Sequence, residues 1–158
     1  MPETGQQVGT RQRVEDSAAL LFRRQGYAAT GLKQIAAESG AAFGSIYHFF
    51  PGGKADLGDH VVRRAGAAYR DLVATALGGE ADPETAVLSM FDAAARALAE
   101  SDYADACPIA TLALEVASTD ERLRMATEAV FADWVGTATA WFGQWVPRPA
   151  DRDLATSL

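Results

Sequence analysis

Apolar residues recur every three or four positions along most of the chain, and no stretch alternates in the manner of a half-buried strand. The pattern therefore predicts an all-α protein. A first helix is expected over 10–25, with Val14, Ala18, Leu21 and Phe22 on one stripe. Arg23 and Arg24 favour the negative dipole end in its last turn, and Gly26 supplies a left-handed stop. Two short helices follow. One covers about 32–39, with Leu32, Ile35 and Ala36 inward and Gly40 as its break; the other spans 43–49 and buries Ile46 and Phe50. Pro51-Gly52-Gly53 ends the second, and Lys54 opens a longer helix with the stripe Leu57, Val61, Ala65, Ala68, Leu72 and Ala76, closed by Gly78-Gly79.

The second half continues in the same period. Asp82-Pro83-Glu84 combines an N-cap acceptor, a proline at the first helical position and an acidic residue in the first turn. That helix runs to about Ser101 on Val87, Phe91, Ala94, Ala95 and Leu98. Cys107-Pro108 opens a shorter helix with Ile109, Leu112, Ala113 and Val116 inside. Ser118 and Glu121 have the spacing of a capping box and predict the start of the longest helix, ending near Val146-Pro147.

Composition narrows the class. With 49% hydrophobic and 22% charged residues over 158 positions, the chain is a folded one, best read as a small reading head on a larger helical body. No apolar run approaches the roughly 20 residues a membrane span needs. Met1 to Gly5 lack a basic-then-apolar leader, so a cytoplasmic protein with no membrane partner is expected. One cysteine, Cys107, excludes an internal disulfide framework. With only His48 and His60 beside it, no metal or other cofactor is expected. The net charge of −7 argues against a nucleic-acid partner until its distribution is considered. Residues 1–54 carry six basic and four acidic groups, +2, whereas the remainder carries eight and seventeen, −9. Such asymmetry suits one end that faces DNA and a body that keeps away from it.

Two short helices joined by a tight glycine-containing turn, with a longer helix on each side, have the order of a helix-turn-helix, whose second helix enters a major groove. Here that helix turns Phe43, Gly44, Ser45, Tyr47 and His48 outward. Ser45 can donate or accept at a base edge, Gly44 lets the backbone come close, and Tyr47 and His48 can reach phosphates or bases. Thr30 and Lys54 flank the groove and can meet phosphates. Bland readings exist beside these. Tyr47 and His48 can pack at a domain surface, and Phe43 can cap the turn as readily as it can meet thymine methyl groups.

The segment from Arg11 to about Ala65 resembles the TetR family of repressors. The match is strongest in Phe22-Arg23-Arg24-Gln25-Gly26-Tyr27-Ala28-Ala29-Thr30, Ile35-Ala36-Ala37-Glu38-Ser39-Gly40 and Gly44-Ser45-Ile46-Tyr47-His48-Phe49-Phe50. Pro51-Gly52-Gly53-Lys54, Cys107-Pro108-Ile109-Ala110 and Leu114-Glu115-Val116-Ala117-Ser118 resemble its LmrA/YxaF-like branch. The resemblance implies a homodimer on a palindromic double-stranded operator, released when a small-molecule inducer enters the carboxy-terminal domain. It implies a DNA-binding domain over 1–54 and a ligand-binding and dimerisation domain over 55–158. The family closes its dimer with two further long helices after a segment such as Pro147-Arg148-Pro149, so that domain is expected to be incomplete at Leu158. By position, Thr30, Ser45, Tyr47, His48 and Lys54 would touch DNA. The family often has Ser then Lys where this chain has Ala42 and Phe43, which removes a cap and a phosphate contact.

The last helix is dense in aromatic residues: Phe131, Trp134, Trp141, Phe142 and Trp145. Ordinary core packing is one reading; an aromatic-lined cavity for planar or amphiphilic ligands is the other. Its candidate walls are Met90, Phe91, Leu112, Met125, Phe131, Trp134 and Trp141, with Glu115 or Thr127 as polar anchor. Cys107, beside Pro108 at a helix start, reads as a small buried hydrophobe more readily than as a redox sensor, and Asp105 opposes a lowered thiol pKa. The leading function is a repressor released by a small apolar or aromatic inducer. An enzyme reading lacks a glycine-rich phosphate loop, a nucleophile elbow or a paired acid and base; a helical adaptor or storage protein is the other competitor.

Overall fold

The computed structural model describes residues 4–78, 82–104, 107–116 and 118–145. Every regular element among them is a helix: α1 (Thr4–Gln25), α2 (Leu32–Ser39), α3 (Phe43–Phe49), α4 (Gly53–Gly78), α5 (Pro83–Glu100), α6 (Pro108–Val116) and α7 (Glu121–Phe142). Helices α1 to α3 make the head. α4 leads out of it into the body, where it packs most extensively on α7 and also holds α5, while α6 sits against α1, α4 and α7.

The head forms as its apolar spacing dictates. Val14, Ala18, Leu21 and Phe22 of α1 are buried against Ile35 and Ala36 of α2, and Ile46 and Phe50 are fully enclosed. At Gly40 the backbone turns left-handed, and its N–H returns to the end of α2. The Arg13 guanidinium then donates to the Ser39 carbonyl at 3.2 Å, tying α1 to that end. The core does not stop at the head. The same cluster continues through Leu57, Val61 and Val62 of α4 to Ile109, Leu112 and Val116 of α6 and Leu123, Ala126 and Val130 of α7.

Several expectations shift. α1 starts at Thr4 rather than Thr10, and α4, at 26 residues, is longer than α7 at 22. Past Val61 the inward face of α4 runs through Gly66 to Leu77, while Ala68 is exposed and Leu72 is 65% exposed. Alanine-rich turns leave two stripes equally apolar, and packing against α7 selects the one containing Gly66. In α5, Ala86 is buried and Met90 half-buried, whereas Phe91 is 64% exposed. α7 is capped by Asp120, whose carboxylate accepts from the Leu123 N–H at 3.1 Å, and not by Ser118. Glu121 reaches Arg124 instead of completing a box. Val146, Pro147 and Asp105 lie outside the described residues.

Gly66 fixes the α4–α7 spacing. A Cβ there would lie 2.5 Å from Cγ1 and 2.6 Å from Cγ2 of Val130, a β-branched side chain with little freedom to turn away. The close approach also brings the Trp134 indole N–H to the Gly66 carbonyl at 2.8 Å. Gly66→Ala is therefore expected to destabilise the protein by about 1–3 kcal/mol, although alanine is the better helix former by about 1 kcal/mol. Urea unfolding measures this; a stabilised variant would contradict the tight packing.

Candidate nucleic-acid interface and ligand cavity

α3 is one and a half to two turns long, too short to persist alone, and is held from beneath by Ile46 and Phe50. Its N-cap, Ala42, makes no side-chain cap bond. Its outward face carries the five residues expected from periodicity. Phe43 and Tyr47 are 42% and 46% exposed, Gly44 and His48 are exposed, and Ser45 is half-buried. The Phe43 and Tyr47 rings meet edge-to-face at 5.7 Å and 75°, one helical turn apart. The His48 ring rests against Phe49 at 5.0 Å.

The two flanking residues are engaged within the protein. Thr30 is buried; its hydroxyl donates to the Gly26 carbonyl at 2.7 Å and accepts from the Gln25 amide at 3.1 Å. Lys54 Nζ donates to the Ala28 carbonyl at 3.3 Å and lies 4.3 Å over the Tyr27 ring, a cation–π contact. Burial lowers the Lys54 pKa from the ordinary lysine value, against the opposing attraction of Glu115. The Tyr27 phenol is pushed up to about 12, first by burial and then by the charge of Asp120. Because this pKa is raised, its contribution to stability is whole below the unfolded value of 10.0 and fades as pH climbs through about 12.

Glu115, expected as a ligand anchor, faces the head. Its carboxylate accepts from the Tyr27 N–H at 3.1 Å and the Ala28 N–H at 2.6 Å, so α6 grips the α1–α2 loop. Gly26 makes room for this: it turns with φ +87°, and a Cβ there would fall 2.3 Å from Glu115 Oε1. A second link joins the body to the start of α4, where Arg122 of α7 pairs with Asp56, whose carboxylate also accepts from the Gly52 N–H.

Higher in the body, α4, α5 and α7 line a partly open apolar cavity of about 220 Å³. Two residues expected there, Met90 and Trp134, line it together with Tyr69, Val73, Thr137 and Ala138. Arg70 stands at the same cavity, paired with Asp133 at 2.9 Å. The other expected wall residues are distributed elsewhere. Leu112 and Thr127 are in the core, the Thr127 hydroxyl bonded to the Leu123 and Arg124 carbonyls. Phe91 and Met125 are exposed, Phe131 and Trp134 meet edge-to-face, and Trp141 meets Phe142 edge-to-face and Trp145 at a tilt. Tyr69 and Val73 were missed because Leu72 carried the expected stripe; their four-residue spacing on α4 was the available signal. Cys107 is half-buried beside the core.

This arrangement defines a helix-turn-helix head coupled to a helical body with an apolar, partly open cavity. Residues 16–61 match the family described as bacterial regulatory proteins, tetR family, and residues 83–158 match the transcriptional regulator LmrA/YxaF-like, C-terminal domain. The chain belongs to the TetR family, with a carboxy-terminal domain of the LmrA/YxaF-like kind. It is 36% identical over 125 residues to the HTH-type transcriptional regulator YxaF of Bacillus subtilis, covering 79% of this chain and 65% of that one. It thus spans just under two thirds of that relative's length. The regulator Rv0196 of Mycobacterium tuberculosis is 33% identical over 150 residues, 95% of this chain and 72% of its own. The crystal structure of regulatory protein TetR from Rhodobacter sphaeroides superposes with a TM-score of 0.75 at 22% identity, over 83% of this chain and 69% of that one, which supports the fold.

Removing the Glu115 carboxylate leaves two backbone donors without their acceptor, and Tyr27 lies at a half-buried position. Glu115→Ala is expected to cost about 1–3 kcal/mol and to speed hydrogen exchange at the Tyr27 and Ala28 amides selectively. Unchanged exchange at both would remove the grip from the account.

Proposed function

We propose that this chain is a ligand-responsive repressor. It reads a palindromic operator as a homodimer and is released by a small apolar or aromatic inducer. Residues 1–54 serve as the reading head and 55–158 as the ligand-binding and dimerisation body. The observation that carries the reading is α3: a short helix anchored by two fully buried residues, with Phe43, Gly44, Ser45, Tyr47 and His48 turned outward. An element built this way fits a major groove, where outward side chains meet base edges and flanking groups meet phosphate. Lys54 serves as a flanking contact by exchanging the Ala28 carbonyl for a phosphate oxygen; Thr30, buried with its hydroxyl and N–H both bonded inside the protein, instead fixes the loop before α2. The relatives' description as HTH-type transcriptional regulators supports the same assignment.

Release follows from the links between body and head. A ligand shifts an equilibrium only through its differential affinity for two states. The cavity among α4, α5 and α7 accepts an inducer whose bulk favours a wider α4–α7 spacing. Since Glu115 and Arg122 join the body to the head, that change reorients the two α3 helices of a dimer away from successive grooves about 34–36 Å apart. The inducer contacts we assign are Met90, Trp134, Tyr69 and Val73.

In gel shifts against a random duplex library, the protein is expected to retain a specific, salt-sensitive complex. Tyr47→Ala is expected to weaken it at least about tenfold while leaving thermal stability within about 0.5 kcal/mol, because the residue is exposed. Full retention of the complex by Tyr47→Ala would count against α3 as the reading element. Absence of any complex would count against the function.

A further inference from the structure

The outward face of α3 is unusual in what it omits. Between Phe43 and Phe49 the sequence has no Arg, Lys, Asn, Gln, Asp or Glu, and Ala41 and Ala42 precede it. Each of those six types matches a base edge: Arg or Lys with guanine, Asn or Gln with adenine, Asp or Glu with the cytosine amino group. What remains at the helix start is Phe43. Its ring lies outside the hydrophobic core at 42% exposure, so the turn is not capped by burying it. Tyr47 supports it edge-to-face at 5.7 Å, fixing a rigid apolar projection. Beside it, Gly44 has open space where a Cβ would stand, with nothing within 4 Å, so the ring projects past a low backbone.

An exposed, braced phenyl ring on a reading helix needs an apolar partner, and the one apolar group displayed among the base edges of the major groove is the C5 methyl of thymine. We propose that Phe43, braced by Tyr47, reads thymine methyl groups, so that this protein's base recognition is chiefly apolar and depends on methylation at C5. Ser45 and His48 supply single hydrogen bonds beside that contact. The proposal rests on the DNA-binding role argued above and adds its specificity.

Replacing thymine by uracil removes the methyl group and leaves pairing and groove donors and acceptors in place, which isolates the contact. Duplexes selected by the wild-type protein from a random library serve as probes, with each thymine changed to uracil in turn. One or two positions per half-site are expected to raise Kd about 3–10-fold, the scale of one buried methyl group plus its packing. Phe43→Ala is expected to bind the thymine duplex more weakly by a similar factor and to be indifferent to uracil at the same positions. Phe43→Leu is expected to keep part of the sensitivity. Circular dichroism and thermal melting verify that both variants fold. A selected duplex that tolerates uracil everywhere overturns the proposal and leaves the regulator reading intact, as does Phe43→Ala retaining full uracil sensitivity. Failure to select any duplex overturns both.

Discussion

The head cannot enclose its own core. Some fifty residues bury too little surface to be secure alone, and the cluster that holds Ile46 and Phe50 runs on without a break into α4, α6 and α7. Burial that stabilises α3 is therefore shared with the helical body. Any displacement of α6 or α7 reaches the head as a loss of packing, before hydrogen bonds are considered. Close-packed interiors resist gradual deformation, so this shared core favours a change between two arrangements over a continuous bend.

Polar links sharpen that coupling at two points. Glu115 fastens α6 to the loop after α1, and the Asp56–Arg122 pair fastens α7 to the turn before α4. Both hold backbone as well as side chains, since the two carboxylates accept from Tyr27, Ala28 and Gly52 amides. Charge-assisted bonds to backbone fix direction better than contacts between flexible side chains.

How far the sequence revealed this depended on local chemistry. The bounds of α2 and α3 were legible because glycines and a proline punctuate a clean apolar period around Ile35, Ala36, Ile46 and Phe50. The far half of the inward face of α4 was not, because Ala68, Leu72 and Ala76 continue an apolar stripe from Leu57, Val61 and Ala65 that looks as good as the one that packs. The start of α7 was misassigned by two residues, since Ser118 and Asp120 are both capping types and only the bond to Leu123 distinguishes them. For the site, the outward set on α3 could be listed from spacing alone. Cavity walls could not, because periodicity reports which way a residue faces and not what stands opposite. Glu115 illustrates the limit: polar, near a helix end, and suited to a ligand by type, it is engaged by the head 88 positions away in the chain.

One feature of the body has a practical reach. Trp134 touches the cavity with its ring, while its indole N–H is bonded to the Gly66 carbonyl of α4. Indole emission responds to polarity and to hydrogen bonding at nitrogen, so in a variant whose other two tryptophans, Trp141 and Trp145, are replaced, the emission follows both the filling of this pocket and the α4–α7 separation. Such a variant is an optical gauge for the proposed inducer site, sorting compounds that would fill the pocket and leave α4 in place from those that would push it aside.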